Sequence, residues 1–355
     1  DRSGLDETYE KAARLLNEAG LKVTEFFEIP PDPEAELAVE GARLAKEAGV
    51  DVVVGLGGGS PIDAAKGIAA MVKMGGDSLW AYAGTNPDFR PVTDSLPLIA
   101  VPTTSGTGTE VTAVAVFNHR GVGNMPEFPL KASIAGPAVL PRVALVDPDL
   151  TLGCPPRLTA ACGADALGHA IEACMSRRRN PFSSALAGKA VALIVENLPS
   201  AVEHPGDAEL RERLALASNM AGVAFSVSSV VMTHSIAHAL GALLHTPHGE
   251  AIAVATPLNL RYNAECCTDV YSELADYCGL RGDSPEAKAG RFVERIVELL
   301  EAAGLPTRVA VPDDAPDDLA GKLARNAFES TLKPLEWNPR KIDEATLRRL
   351  FEEIL

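Results

Sequence analysis

The chain has 355 residues, of which 46% are hydrophobic and 23% are charged, and its formal net charge at pH 7 is −16. This length is too great for one ordinary hydrophobic core, so we expect a globular protein of two domains. The strong negative charge argues against nucleic acid or an anionic membrane surface as a partner. No apolar run reaches the ~18 residues of a membrane span, and no signal peptide is visible. Six cysteines without a C-x-x-C pair indicate reduced thiols, so we expect a cytoplasmic enzyme.

The first 150 residues alternate between helical and extended patterns. Helices are predicted over residues 5–19 and 34–48, and strands over residues 21–29, 50–54, 98–101 and 143–146. Such alternation is typical of an open α/β sheet. From about Pro155, alanine-rich helical patterns continue to the C-terminus. We therefore predict an α/β domain over residues 1–149 and a helical domain over residues 150–355.

A glycine-rich loop follows the strand predicted at residues 50–54. It reads GLGGGSPID and leads directly into a helix. Backbone N–H groups at a helix N-terminus favour bound phosphate, and glycines let a pyrophosphate approach the main chain. The loop departs from G-x-G-x-x-G because Ser60 replaces the third glycine. It indicates either a dinucleotide site or a plain strand–helix turn. The hydroxyl-rich loop after the strand at residues 98–101 indicates a second ligand contact or a simple helix cap.

Histidines are concentrated in two helical segments of the second half. His234 and His238 are four residues apart, as are Asp165 and His169, so each pair shares one face of a helix. His248 follows Pro247, which stops helical continuation. One carboxylate and two or three imidazoles on facing helices would bind a divalent metal. The alternative is that these pairs serve packing or lie on the surface.

Together these segments resemble the iron-containing (group III) alcohol dehydrogenases. The motifs GGGSPIDAAK, PTTSGTGTEVT, LVDPDLT, GADALGHAIEA and THSIAHALGALLHTPHG occur in the order of that family, and the resemblance extends from Asp1 to Arg340. It implies a Rossmann-like N-terminal domain and an all-helical, metal-binding C-terminal domain, an architecture similar to that of dehydroquinate synthase. Family members begin with a further strand and hairpin. Because this chain starts at Asp1 without them, we expect the front of the protein to be missing from the sequence.

The resemblance also implies roles for individual residues. The implied metal ligands are Asp165, His169, His234 and His248, and the implied catalytic residue facing the nicotinamide is His238. The implied cofactor contacts are Asp1, Gly58, Gly59, Ser60, Asp63, Thr103, Thr104 and Lys131. His245 matches no ligand and is expected to line the cleft or to support the ligands from behind. If Asp1 meets the adenosine ribose, its charge repels a 2′-phosphate, and NAD is expected over NADP.

The predicted reaction is reversible hydride transfer between a small alcohol and a nicotinamide. Three neutral imidazoles and one carboxylate would leave a divalent metal with a net charge of +1, and the metal would act as a Lewis acid. His238 would pass the proton to solvent with a pKa near its ordinary value. The family implies Fe²⁺, although the ligands themselves also suit Zn²⁺. We expect a homodimer or a higher homo-oligomer.

Other activities remain open at this point. A zinc enzyme similar to glycerol dehydrogenase or dehydroquinate synthase would have the same fold, but those use three protein ligands, and His169 favours the four-ligand group. A maleylacetate reductase is disfavoured because that branch lacks the full ligand set. A metal-dependent hydrolase would need no dinucleotide, and a non-catalytic metal-binding protein would leave the glycine loop unexplained.

Overall fold

The structure, a computed structural model, describes residues 6–27, 29–123 and 125–355, which form two compact units. The first contains the described parts of Asp1–Thr104, with Thr109–His119 and Ala132–Cys154. The second contains Ser105–Gly108, the described parts of Arg120–Lys131, and Pro155–Leu355. A parallel sheet with helices in the first and helices throughout the main part of the second confirm the predicted fold class. That residues 1–149 bind the dinucleotide and residues 150–355 bind the metal and the substrate stays a prediction.

The first unit is built around a parallel sheet. Its described elements are α1 (Asp6–Glu18), α2 (Ala35–Ala48), β1 (Val53–Gly57), α3 (Gly59–Met74), β2 (Leu98–Pro102), β3 (Val114–His119), residues 132–135 of β4 (Leu130–Ala135) and β5 (Val143–Ala144). The sheet order is β1-β2-β5, with Val53 opposite Leu98 and Ile99 opposite Val143, while β3 pairs with β4 separately. Because β1 and β2 are parallel, their carboxyl ends and the loops that follow lie at the same edge of the sheet.

One predicted strand is absent from the described residues, and two strands of the structure were not predicted. The strand predicted over residues 21–29 is wrong for its described residues, none of which is in a strand. A strand needs a neighbouring strand for its N–H and C=O groups, whereas the N–H of Leu21 donates to Leu16 O at 3.1 Å. Conversely, β3 and β4 were not predicted. The side chains of β3 alternate between partly and fully buried, which is the pattern of a strand with one face on a core.

Small residues allow close packing of α3 in this unit. A Cβ added at Gly67 would lie 2.6 Å from the ring of Phe117 and 2.8 Å from the Cβ of Ala38. Ile62 and Met71 on the same helix are almost completely buried. The glycine therefore lets α2, α3 and β3 approach one another.

His119 predicts a pH dependence of stability for this unit. Its ring is 2% exposed, packs 5.1 Å from the ring of Trp80 and leaves Nε2 without a hydrogen-bond partner. Burial lowers the pKa of His119 to about 4, although a hydrogen bond with the backbone of Ala132 opposes the shift. Below pH 6.5 the unfolded chain takes up a proton that the folded chain does not, so stability falls as the pH falls from about 6.5 to 4.

We expect His119→Phe to remove this part of the acid sensitivity. The wild type should lose about 3 kcal/mol more unfolding free energy than the variant between pH 7 and pH 4, since one pKa unit corresponds to about 1.4 kcal/mol. Urea unfolding of both proteins at several pH values measures the difference. Parallel stability curves would contradict the prediction.

The second unit is mainly helical. Its helices are α4 (Pro156–Met175), α5 (Pro181–Glu203), α6 (Ala208–Ser228), α7 (Met232–Leu244), α8 (His248–Tyr277), α9 (Pro285–Ala302), α10 (Leu319–Ser330), α11 (Leu332–Glu336) and α12 (Glu344–Ile354). One hydrophobic cluster joins α4, α5, α6, α8 and α9, and a second joins α7 and α8 to α10 and α12. Because α4 is buried along nearly its whole length, any polar side chain on it must find a partner or a ligand.

Among the described residues, α5 is the only helix that is by itself long enough and apolar enough to cross a membrane. In its most apolar stretch 56% of the residues are buried inside the protein, and Ala190, Val191 and Ile194 belong to the first hydrophobic cluster. The bent pair α6 and α7 passes the same test only if its two helices are taken together. The core helix of a soluble protein has the same properties, so the expectation of no membrane partner stays a prediction.

Candidate metal centre and cofactor loop

The glycine loop forms the connection between β1 and α3. Gly57 has φ of 144°, and a Cβ there would lie 2.8 Å from Pro61 Cγ, so this glycine is required by the turn itself. Gly58, the N-cap of α3, has φ of −75° and no side-chain cap. A Cβ at Gly58 would meet only Thr104, at 3.5 Å. The structure thus brings Gly58 and Thr104 together beside a helix N-terminus that suits an anion.

Asp63 and Lys66 on α3 make contacts that the sequence did not suggest. Asp63 accepts hydrogen bonds from Thr109 Oγ1 at 2.6 Å and from Val116 N–H at 2.9 Å, so both carboxylate oxygens are engaged. Lys66 is completely buried and donates to Thr109 Oγ1 at 2.7 Å and to Val114 O at 2.6 Å. The pair anchors the segment after the threonine-rich loop to α3. Burial lowers the pKa of Lys66 to about 8 despite nearby carboxylates.

Three further residues were implied as cofactor contacts, namely Ser60, Lys131 and Asp1. Ser60 Oγ accepts from the backbone N–H of Asp32 at 3.2 Å. Lys131 belongs to the second unit, where its Nζ would lie 3.1 Å from a Cβ at Gly241 on α7. Asp1 lies outside the described residues. Contact of any of these residues with a cofactor stays a prediction.

The predicted metal ligands converge within the helical unit. Asp165 and His169 come from α4, His234 from α7 and His248 from the first residue of α8. Asp165 Oδ1 lies 3.4 Å from His248 Nε2, 3.5 Å from His234 Nε2 and 3.7 Å from His169 Nδ1. The ligand atoms of Asp165, His234 and His248 all lie within 4.8 Å of one another. The ring of His169 stacks on that of His234, with centroids 4.3 Å apart.

Two glycines let α4 and α8 come this close. A Cβ added at Gly249 would overlap the carbonyl group of Ala161 and would lie 2.9 Å from the Cα of Ala161. A Cβ at Gly168 would lie 2.8 Å from Ile252 Cγ2. Gly249 is the second residue of α8 and permits the N-terminus of α8 to pack against α4. This packing places His248 beside Asp165.

The polar atoms of the cluster fit a cation. Asp165 Oδ1, His169 Nδ1 and His234 Nε2 are buried and have no hydrogen-bond partner, which is costly unless a ligand satisfies them. Burial would raise the pKa of Asp165, but His169 and His248 outweigh it and hold the pKa well below its usual value. An ionised carboxylate among imidazole nitrogens is the donor set expected for a divalent transition metal.

Glu172 is part of this centre and was not singled out from the sequence. It is completely buried on α4, and its Oε2 pairs with Nδ1 of His234, on the side of the ring opposite Asp165. Burial alone would lower the pKa of His234, but the carboxylates of Glu172 and Asp165 raise it to about 9. The spacing of 0, 4 and 7 residues from Asp165 through His169 to Glu172 is the sequence signal that could have identified it.

His238 lies next to the cluster without joining it. Its ring centroid is 5.8 Å from that of His248. The expected near-neutral pKa is wrong: burial, followed by repulsion from His248 and Lys131, lowers the pKa of His238 well below its ordinary value. His245 ends α7 with φ of 54° and its side chain is exposed, so it does not support the ligands from behind.

Comparison with known proteins identifies the family of the chain. The family profile "Iron-containing alcohol dehydrogenase" matches residues 2–148, and the profile "Fe-containing alcohol dehydrogenase family, C-terminal" matches residues 159–355. The chain belongs to the iron-containing alcohol dehydrogenase family. It is therefore a metal-dependent, NAD(P)-linked alcohol dehydrogenase, which confirms the predicted enzyme class over the hydrolase and binding-protein alternatives.

Three similar proteins illustrate the family. The NAD-dependent methanol dehydrogenase of Bacillus methanolicus is 35% identical over 98% of this chain and 88% of its own length. The NADPH-dependent butanol dehydrogenase of Clostridium saccharobutylicum is 32% identical over 97% of this chain and 86% of its own. The crystal structure of an archaeal halo-thermophilic alcohol dehydrogenase from a Red Sea brine pool matches with a TM-score of 0.92 and 29% identity, covering 100% of this chain and 89% of that one.

Proposed function

We propose that Asp165, His169, His234 and His248 hold the divalent metal of this alcohol dehydrogenase, which is iron in this family. The observation that carries the proposal is the convergence of buried nitrogen and oxygen atoms on Asp165 Oδ1, several of them without a hydrogen-bond partner. When bound, the metal supplies Lewis acidity toward the oxygen of the substrate. Aspartate and histidine side chains are also common ligands of Zn²⁺, so the same four residues suit that ion.

We further propose that NAD binds through residues 1–149, while residues 150–355 hold the metal and the substrate. The pyrophosphate would lie over Gly58, Gly59 and Ser60, where an open N-cap and the N-terminus of α3 favour negative charge. Thr103 and Thr104 follow the adjacent strand and add hydroxyl groups at the same edge. Asp63 is the remaining proposed contact in this unit, and the contact implied for Lys131 stays a prediction.

The side chains around the proposed metal have separate roles in the reaction. Asp165 stays ionised and keeps the centre attractive to a cation, and each of His169, His234 and His248 would bind that cation through a ring nitrogen that carries no proton. His238, beside His248 and on the helix of His234, passes the alcohol proton toward solvent through water. The proposed substrates are small alcohols and their aldehydes. We also propose a cytoplasmic homodimer or higher homo-oligomer.

The test is reduction of small aldehydes, and oxidation of the matching alcohols, by protein stripped of metal and reloaded with Fe²⁺ or Zn²⁺. We expect turnover only after reloading, and higher kcat/KM with NADH and NAD than with NADPH and NADP. In the same assay, His238→Ala should retain the metal and lower kcat by about 100-fold, a typical loss when a proton carrier is removed. Loss of metal from His238→Ala, to the level of His234→Ala, would show that His238 is a ligand instead.

A further inference from the structure

Glu172 has the contacts of a carboxylate that orients a metal ligand. Its Oε2 pairs with Nδ1 of His234, and its Oε1 accepts from the backbone N–H of Thr233 at 2.6 Å and from Asn259 Nδ2 at 3.4 Å. We propose that Glu172 is a positioning residue that keeps the proton of His234 on Nδ1 and thereby directs the Nε2 lone pair toward Asp165 and the metal. This inference rests on the proposed function, because it requires His234 to be a ligand.

The chemistry of its partners makes a carboxylate necessary at this position. The backbone N–H of Thr233, the amide nitrogen of Asn259 and the Nδ1–H of His234 are all donors. An ionised carboxylate accepts from all three, whereas a glutamine would turn its NH₂ group toward at least one of them. Thr233 is the second residue of α7, so the carboxylate also lies at the positive end of that helix.

A chain of buried amides fixes the orientation of these donors. The backbone N–H of Arg340 donates to Asn263 Oδ1 at 3.1 Å, so Nδ2 of Asn263 faces the other way and donates to Asn259 Oδ1 at 2.6 Å. This in turn leaves Asn259 Nδ2 directed at Glu172 and at Thr233 Oγ1, the latter at 2.8 Å. Each step follows because an amide has one acceptor atom and one donor atom. The backbone near the C-terminus therefore helps to set the position of the carboxylate.

Glu172 also changes the charge of the centre. Counting Asp165 alone with three neutral imidazoles leaves a divalent metal with a net charge of +1, as the sequence implied. The second buried carboxylate, one imidazole away, reduces the total to zero. Buried charges are tolerated when they are balanced and hydrogen-bonded. Glu172 is hydrogen-bonded here, and a bound divalent metal would balance the two carboxylates.

The experiment measures Zn²⁺ binding to the metal-free full chain by calorimetry. We expect Glu172→Gln to weaken Zn²⁺ about 10- to 100-fold, the usual effect of losing the hydrogen-bond partner of a metal-binding histidine. Asn197→Ala is the control, since it removes a buried amide of the same unit that donates to Leu193 O at 2.7 Å and lies on α5, a helix that carries none of the proposed ligands. It should leave the affinity unchanged even if it lowers the melting temperature.

A second measurement does not depend on the variant folding. In the zinc-loaded wild type labelled with ¹⁵N-histidine, His234 should carry its proton on Nδ1 and bind zinc through Nε2. Equal Zn²⁺ affinity of the wild type and Glu172→Gln, or zinc on Nδ1 of His234, would overturn the positioning role while leaving the metal centre intact. A wild type that binds no metal would instead overturn the proposed centre and this inference together.

Discussion

Replacing His248 with alanine is expected to remove both the metal and the activity while the helical unit stays folded. His248 is one of the three imidazoles around Asp165, and its Nε2 lies 3.4 Å from Asp165 Oδ1. Loss of a direct ligand should weaken metal binding by more than the ~10- to 100-fold of an outer partner. Because its side chain is 28% exposed and outside both hydrophobic clusters, truncation should cost little stability. Elemental analysis, turnover and thermal unfolding of one preparation test the three parts.

His245→Ala is the matched control for this experiment. His245 lies three residues earlier in the same connection, but its side chain is exposed and it caps α7. This variant should retain full metal and near-normal turnover. Full metal occupancy in His248→Ala would exclude His248 as an essential ligand. Unfolding of His248→Ala would mean that the residue holds α8 against α4.

Parts of this centre could be predicted from local spacing. Asp165 and His169, four residues apart, share a face of α4, and that face does point at the cluster. His248 could not be placed in this way, because its position depends on Gly249 packing against Ala161, almost 90 residues earlier. Its implied role came from the family resemblance alone. Spacing identifies residues on one helix, whereas contacts between helices depend on packing that a single sequence does not display.

Electrostatic properties were harder to predict than positions. The unperturbed pKa served as the guide for His238, yet burial together with Lys131, more than 100 residues earlier in the chain, lowers the pKa. Glu172 lies in the motif GADALGHAIEA but was given no role, because its importance depends on its pairing with His234 on another helix. The strands β3 and β4 were missed for a similar reason, since their pairing is not local in sequence.

Gly58→Ala is expected to weaken binding of the dinucleotide without loosening the fold. At φ of −75° an alanine is unstrained, and its Cβ would make only ordinary contact with Thr104 at 3.5 Å. A bound pyrophosphate, however, would be kept from the backbone N–H groups at the start of α3. A hydrogen bond to a charged group contributes ~1.5–3 kcal/mol, and about 1.4 kcal/mol is tenfold in affinity. We therefore expect the Kd for NADH to rise at least about tenfold.

Gly57→Ala provides the contrast that separates a ligand effect from a structural one. At φ of 144° and with Pro61 Cγ 2.8 Å from the added Cβ, this substitution strains the turn itself. It should lower the free energy of unfolding by about 1–3 kcal/mol, as strained backbone positions do. Fluorescence titration with NADH, urea unfolding and metal analysis of both variants separate the two cases. If Gly58→Ala binds NADH as tightly as the wild type, the loop is only a strand–helix turn and the phosphate lies elsewhere.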